Sequence, residues 1–267
     1  MTGTGINMSF GILGRLELHR EGRAIRVPPR HVGSLLAFLL LHNREFVADD
    51  LLVARVWGPE AGSIGALRTS MSRLRRGLPG LPVDNLGGGY RLSIPPDSLD
   101  AARFLTICGD PRLGLDSSGP DVATREEATA CLARLRQALG EWRGGVLAGS
   151  PDWMREDPAA MRLEAMRRAC AYRLGCLAVA LGVPELALPE LTRLIADYPY
   201  DEPLHATHLN VLVVSGRPAL ALRHYEVLRR LLREELGADP SEQVQQAYRA
   251  ALTGARRGQV FEHMVAA

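Results

Sequence analysis

The sequence predicts a mainly α chain with small β-sheets, divided into a mixed N-terminal part and an all-helical remainder. Three observations carry this. Short strand-like segments broken by glycine lie at the start and again near residue 90, bracketing three helical stretches. The third stretch, Ser63–Leu78, has an apolar stripe on one side and arginines on the other. From Leu99 onward the apolar spacing is helical throughout, and two proline-led segments match at a shift of 34 residues. With 267 residues, 46% of them hydrophobic and 23% charged, the chain has enough apolar material for one or two cored domains and does not read as disordered.

Phe10–Leu13, Arg15–Leu18 and Ala24–Val27 have strand composition and are separated by Gly11, Gly14 and Glu21-Gly22, which predicts a small antiparallel sheet. Pro28-Pro29 ends that pattern. Val32–Leu41 is too long for a strand and too short to span a bilayer, so it is expected to be a buried helix. After the turn Asn43-Arg44-Glu45, the acids at Asp49 and Asp50 open a second helix that closes at Trp57-Gly58. Gly58–Gly62 is expected to be an exposed loop. Val83–Leu86, the Gly87-Gly88-Gly89 turn and Tyr90–Ile94 then predict a hairpin carrying Arg91.

Leu67, Met71, Leu74 and Leu78 follow the i, i+4, i+7, i+11 pattern and share one helical face. The opposite arc holds Arg68, Thr69, Ser72, Arg73 and Arg76, with Arg75 at its margin, and the stretch contains no carboxylate. Ser63 is placed to cap the helix N-terminus. An arginine face is also what an ordinary solvated helix presents, its stems lying along neighbouring side chains. The neighbours favour more than solvation: three helices with a sheet before and a β-ribbon after form a winged helix-turn-helix, whose third helix enters the DNA major groove. Net charge is only +2, yet residues through Asp97 carry 12 arginines against 8 acids, whereas the rest carries 20 against 22. Every one of the 32 basic residues is arginine, a uniformity ascribed to coding bias rather than function.

Pro95-Pro96-Asp97 is read as a linker, giving expected domains at 1–97 and 98–267. The second contains predicted helices at Ala101–Cys108, Arg125–Leu139, Ala159–Leu181, Glu185–Asp197, Pro203–Ser215, Pro218–Leu236 and Ser241–Leu252, with Asp110–Asp121 as a mobile Gly/Pro/Ser loop. The 34-residue shift lays Pro184–Leu191 over Pro218–Tyr225, the period of tetratricopeptide-like helix pairs, which bury their faces only by stacking.

The stretch V-A-D-D-L-L-V-A-R-V-W-G, then A-L-R-T-S-M-S-R-L-R-R-G-L and G-G-Y-R-L, resembles the OmpR-type winged-helix domain found in the Streptomyces antibiotic regulatory protein (SARP) family. The later motifs L-G-E-W-R-G-G-V-L, A-D-Y-P-Y-D-E-P-L-H, S-G-R-P-A-L-A-L-R-H-Y and L-R-E-E-L-G-A-D-P-S resemble that family's bacterial transcriptional activation domain. Together they leave only Met1–Asn7 and Ala255–Ala267 uncovered. The resemblance implies that Ser63–Leu78 is a recognition helix and that Gly58–Gly62 faces RNA polymerase. It further implies a transcriptional activator of a secondary-metabolite (antibiotic) gene cluster, binding direct repeats of double-stranded DNA as a homodimer and recruiting RNA polymerase holoenzyme. The nucleotide-binding and sensor modules of larger members are not expected, nor is an ATP switch. Gly65 departs from the alanine more usual in the family and weakens the first turn by about 1 kcal/mol.

Arg68, Thr69, Ser72, Arg73 and Arg76 are the candidates for contact with DNA, while Arg75 and Arg91 are expected mostly on phosphates. The alternative is a helical-repeat interaction scaffold whose basic helix reads no DNA. An enzyme is not expected: no Walker loop, H-E-x-x-H or G-x-S-x-G motif is present, and the glycine triplet precedes a strand rather than the helix a phosphate loop requires. No cofactor or metal is expected. His205, His208 and His224 lack a carboxylate or cysteine to complete a ligand set, and Cys108, Cys131, Cys170 and Cys176 lack metal or disulfide spacing and read as buried thiols. Trp142 and Trp153 read as packing anchors, and Asp201-Glu202 as a helix cap. With no run of about 18 apolar residues, and neither a basic nor an apolar segment in Met1–Asn7, the expected location is cytoplasmic and nucleoid-associated, away from membranes.

Overall fold

The computed structural model describes residues 8–58, 62–115, 124–255, 258–260 and 264. The chain divides into two compact units, Met1–Thr106 with Gly140–Ala165 and Ile107–Leu139 with Met166–Ala267.

In the first unit β1 (Met8–Gly11), β2 (Glu17–Arg20) and β3 (Arg23–Ile25) form an antiparallel sheet in sequence order, with Phe10 opposite Leu18 and Leu18 opposite Ile25. The strand expected to run to Leu13 stops at Gly11. The amides of Ile12 and Leu13 instead donate to the Asp100 carboxylate at 2.9–3.0 Å. Helix α1 (Arg30–Leu41) is the buried helix of the apolar run, and α2 (Asp49–Trp57) and α3 (Ile64–Gly77) pack on it and on each other. Leu35, Leu36, Phe38, Leu39, Leu52, Val56, Leu67, Met71 and Leu74 meet there as a dry core. Trp57 ends α2 and stacks on His31 at 5.1 Å.

A second sheet closes the unit in the order β4 (Val47–Ala48), β6 (Gly89–Leu92), β5 (Val83–Asn85). The strand β4 was not expected, since Ala48 reads as the approach to a helix. Both hairpin strands are shorter than expected for local reasons. The Asn85 side chain accepts from Gly87 N at 3.0 Å and starts the turn, while the Asn43 side chain bonds both the amide and the carbonyl of Ile94. Gly87 and Gly88 have φ of 73° and 80°, a region that residues with a Cβ rarely occupy.

The expected boundary at residues 97 and 98 differs from the observed division. Pro96–Ser98 forms a 3-10 turn, and α4 (Asp100–Cys108) begins with Asp100 at 0% exposure, its carboxylate accepting from Ile12 N, Leu13 N and Ala101 N and pairing with Arg143 at 2.7 Å. Phe104 meets Trp142 edge-on at 5.2 Å. Trp153, in the short α6 (Asp152–Arg155), donates from Nε1 to the Arg55 carbonyl, and Arg55 Nη1 donates back to the Trp153 carbonyl. Residues 98–106 and 140–165 are therefore part of the first unit's structure.

In the second unit α5 (Arg125–Gly140) starts with a reciprocal cap, in which Thr124 Oγ1 accepts from Glu127 N and a Glu127 carboxylate oxygen accepts from Thr124 N. It is followed in sequence by α7 (Pro158–Leu181), α8 (Leu188–Asp197), α9 (Glu202–Val214), α10 (Pro218–Leu236) and α11 (Glu242–Thr253). Helix α9 packs against α8, α10 and α11 and is buried along most of its length, as the central member of a stack of helix pairs. Asp201 caps α9, accepting from Leu204 N. The 34-residue register holds only for the start of each pair. Pro184–Leu186 forms a 3-10 turn before α8, which has 10 residues against 19 in α10, so α9 and α11 are spaced more widely. Of the expected loop 110–121, residues 116–121 lie outside the described residues, and Pro111–Leu113 forms a 3-10 turn capped by Asp110. All four cysteines are buried and unbridged, with Cys108 and Cys170 Sγ atoms 3.4 Å apart.

Candidate nucleic-acid interface

Helix α3 forms because its apolar residues recur on one face and its N-terminus is satisfied: Ser63 Oγ accepts from Ala66 N at 3.1 Å. Leu67, Met71 and Leu74 are at most 1% exposed, and Leu78 just past the helix is buried with them. Burying that stripe fixes the helix about its axis, so the opposite face cannot roll inward. Arg68, Thr69, Ser72, Arg73, Arg75 and Arg76 are all exposed, as the helical wheel predicts.

Within this set the side chains are held differently. Among the described residues no carboxylate pairs with Arg68, Arg73 or Arg76, which leaves three guanidinium groups uncompensated over less than three turns. The Thr69 hydroxyl donates to the Gly65 carbonyl at 2.9 Å, presenting its methyl and an oxygen lone pair outward. Arg75 is committed inside the protein. Its Nη2 donates to the Val83 carbonyl at 2.8 Å, and its guanidinium lies 6.0 Å from the centroid of the Tyr90 ring. It thereby joins the helix to the hairpin.

Arg91 is half-buried on β6, directly across from Asp84 in the strand register, with 3.7 Å between Nη2 and the carboxylate. This counter-charge escaped the sequence reading, because strand pairing had to be known before Asp84 could be placed beside Arg91. The braces at Asp100, Arg143 and Trp153 escaped it too, since residues up to 98 positions apart leave no local signal. Of the expected loop Gly58–Gly62, residues 59–61 lie outside the described residues.

Among the described residues no group of three or more His, Cys, Asp or Glu side chains is arranged to hold a metal ion, and no helix is long and apolar enough to cross a membrane.

A model of the bacterial transcriptional activator domain matches residues 113–252. The regulatory protein DnrI of Streptomyces peucetius is 30% identical over 258 residues, which cover 92% of this chain and 92% of DnrI. The chain belongs to the SARP family of transcriptional activators. Other relatives share the same stretch within longer proteins. The regulatory protein AfsR of Streptomyces coelicolor is 34% identical to this SARP over 250 residues, which are 90% of the chain but 24% of AfsR. The structure of Mycobacterium tuberculosis EmbR in complex with a low affinity phosphopeptide superposes with a TM-score of 0.73 at 24% identity, covering 97% of the SARP chain and 69% of EmbR, which establishes likeness of fold. The family is one of transcriptional regulators rather than enzymes.

Proposed function

We propose that the outward arginine face of α3 reads double-stranded DNA in the major groove while the β5–β6 hairpin rests on the adjacent backbone, and that the helical unit engages RNA polymerase holoenzyme to activate transcription. The carrying observation is the uncompensated charge of Arg68, Arg73 and Arg76 on a helix locked by Leu67, Met71 and Leu74. An exposed array of cations without partners is what phosphate neutralisation and counterion release require. Rigid placement is what base-edge contacts require, arginine to guanine O6 and N7 being the commonest.

The roles divide by how each side chain is held. Arg68, Arg73 and Arg76 reach DNA directly, with Thr69 and Ser72 offering short contacts between them. Arg75 and Arg91 lie at the phosphates on the flank, each with part of its hydrogen-bonding capacity already spent on the protein. A single winged helix covers a short site, so two protomers on a direct repeat beside the promoter supply the specificity a genome demands. The regulated genes are those of a secondary-metabolite cluster, and the protein acts in the cytoplasm at the nucleoid. The DNA-binding part is proposed at 1–97 and the activation part at 98–267, the latter supported by the activator-domain match over residues 113–252.

Fluorescence anisotropy of the purified chain on promoter fragments from its neighbouring gene cluster, with competitor DNA present, tests the reading. Saturable, sequence-selective binding that falls in Arg73→Ala and Arg76→Ala is expected. Unchanged binding in both variants overturns the assignment. Selective binding by no fragment leaves the helical stack as an interaction scaffold.

A further inference from the structure

We propose that the groove bounded by α8 and α10 in the helical unit is a binding site for a small molecule with an apolar body and a carboxylate. The groove measures about 410 Å³, within the 300–1,000 Å³ typical of small-molecule sites. Leu188, Leu212, Leu220 and Val227 line it, and the two from α10 are exposed, at 48% and 51%. Leu220, His224 and Val227 are spaced i, i+4, i+7 on one face of α10, which lines the groove and meets α9 through His224.

Charge decides the class of occupant. Arg217 and Arg223 line the groove, no carboxylate does, and among the described residues neither arginine has an acidic partner. A carboxylate is a planar anion that a guanidinium group can hold through two parallel hydrogen bonds. Behind the arginines lies a polar cluster. His205 Nε2 is 3.0 Å from the Pro199 carbonyl, which can only accept, so that nitrogen carries the proton and Nδ1 is the acceptor. His224 Nε2, 2.8 Å away, therefore donates to it and leaves His224 Nδ1 as an open acceptor. His208, 8% exposed, approaches Thr192 Oγ1 at 3.5 Å through Nε2, while its Nδ1 is buried without a hydrogen-bond partner among the described residues. Burial lowers all three imidazole pKa values, His208 to about 4 and His224 to about 3, so the cluster is neutral near pH 7 and the arginines alone supply the positive charge.

The aliphatic walls take the body, Arg217 and Arg223 take the anion, and the histidines offer a donor or acceptor to a further polar atom. The groove and α3 belong to different units, so its occupancy is measured without DNA.

Isothermal titration calorimetry of the full chain with octanoate as probe tests the proposal, with octanamide as the uncharged counterpart and an acidic amphipathic peptide as the rival occupant. Saturable one-to-one octanoate binding is expected, weakened about tenfold or more by Arg217→Ala/Arg223→Ala, with octanamide weaker by a similar factor. Both arginines are exposed, so the double variant is expected to keep the wild-type melting temperature. Should it unfold, octanoate-dependent shifts of the His208 and His224 imidazole signals in wild-type protein decide the matter. Absence of saturable octanoate heat, equal affinity for octanamide, or binding by the peptide alone overturns the proposal. DNA affinity, read separately by anisotropy, is left unchanged by any of these results.

Discussion

Arg75 and Arg76 are neighbours in sequence, yet a hydrogen bond from Arg75 to the Val83 carbonyl separates them in role. Arg76→Ala removes an unpaired cation and is expected to lower the slope of log affinity against log salt by about one if it meets a phosphate, or to relax preference at one base pair at a cost of roughly 1–3 kcal/mol if it meets a base. Titrations at several salt concentrations on matched and mutated sites distinguish the two. Arg75→Ala is expected to do something Arg76→Ala does not: loosen the hairpin, seen as faster amide exchange in Val83–Asn85. Gly65 is the other informative residue. A Cβ there meets only Ser63 Oγ at 3.7 Å, so Gly65→Ala is expected to stabilise the protein by about 1 kcal/mol in urea denaturation. A lower midpoint would mean that the glycine answers a need beyond helix propensity. The orientation of these side chains was legible in the sequence, because the wheel needs only the spacing of Leu67, Met71 and Leu74. The commitment of Arg75 was not, because Val83 is placed beside it only once the hairpin folds back.

Elements were legible where one apolar stripe ran for three turns or more, as in α3 and α10, or where a long apolar run admitted only a buried helix, as in α1. They were misplaced where a side chain replaced a backbone partner. Strand β2 lies two residues later than its apolar composition indicates, because Glu21 and Gly22 both have positive φ, 52° and 76°, and this two-residue turn forces Arg20 to pair with Arg23. At β1 the intervening group is Asp100, and Asp100→Ala is expected to cost about 1–3 kcal/mol, since it leaves the buried amides of Ile12 and Leu13 without their acceptor, while Arg143 keeps Glu17. Chemical denaturation of the purified variant checks this; a loss below about 1 kcal/mol would show the carboxylate to be replaceable, as by water.

The histidine cluster joining α9 and α10 sets an acid limit. Unfolded imidazoles titrate near 6.5, whereas His208 and His224 in the fold hold off protonation until about 4 and 3. Between those values the unfolded chain binds more protons, so the cluster's stabilising share is complete above pH 6.5 and drains away as pH falls toward 4. His205 on α9, held low by burial against the pull of Asp201 and Glu202, moves in the same sense. Melting temperature is therefore expected to drop from pH 7 to pH 5 more steeply in wild type than in His224→Gln. Parallel curves would refute the cluster's part.

At the scale of the whole molecule, the sequence showed a mixed part and a helical part in their correct order, and the helical repeat in outline. It placed the division at a proline pair, where the chain's composition changes. The folded chain divides by packing instead, taking Phe104, Trp142 and Trp153 into the first unit from beyond that point. A fragment ending at Asp97 lacks all three and Asp100 as well, and is expected to melt well below a fragment that extends through Ala165, as circular dichroism during heating would report. Equal melting temperatures would restore the proline pair as the limit of the folding unit. Distances of this kind, 88 residues from Ile12 to Asp100, are beyond any window in which periodicity or turn chemistry operates.

On the proposed reading, in which α3 enters the major groove and the hairpin rests on the adjacent backbone, the clasp between Arg75 and Val83 ties the two contacts together. Two probes tied together at 2.8 Å cannot adjust their span independently, so on that reading they act as a fixed gauge of the distance from the major groove to the adjacent backbone. Tracts whose local stiffness or groove width mismatches that gauge have to be deformed before they fit, and discrimination then arises at base pairs no side chain touches.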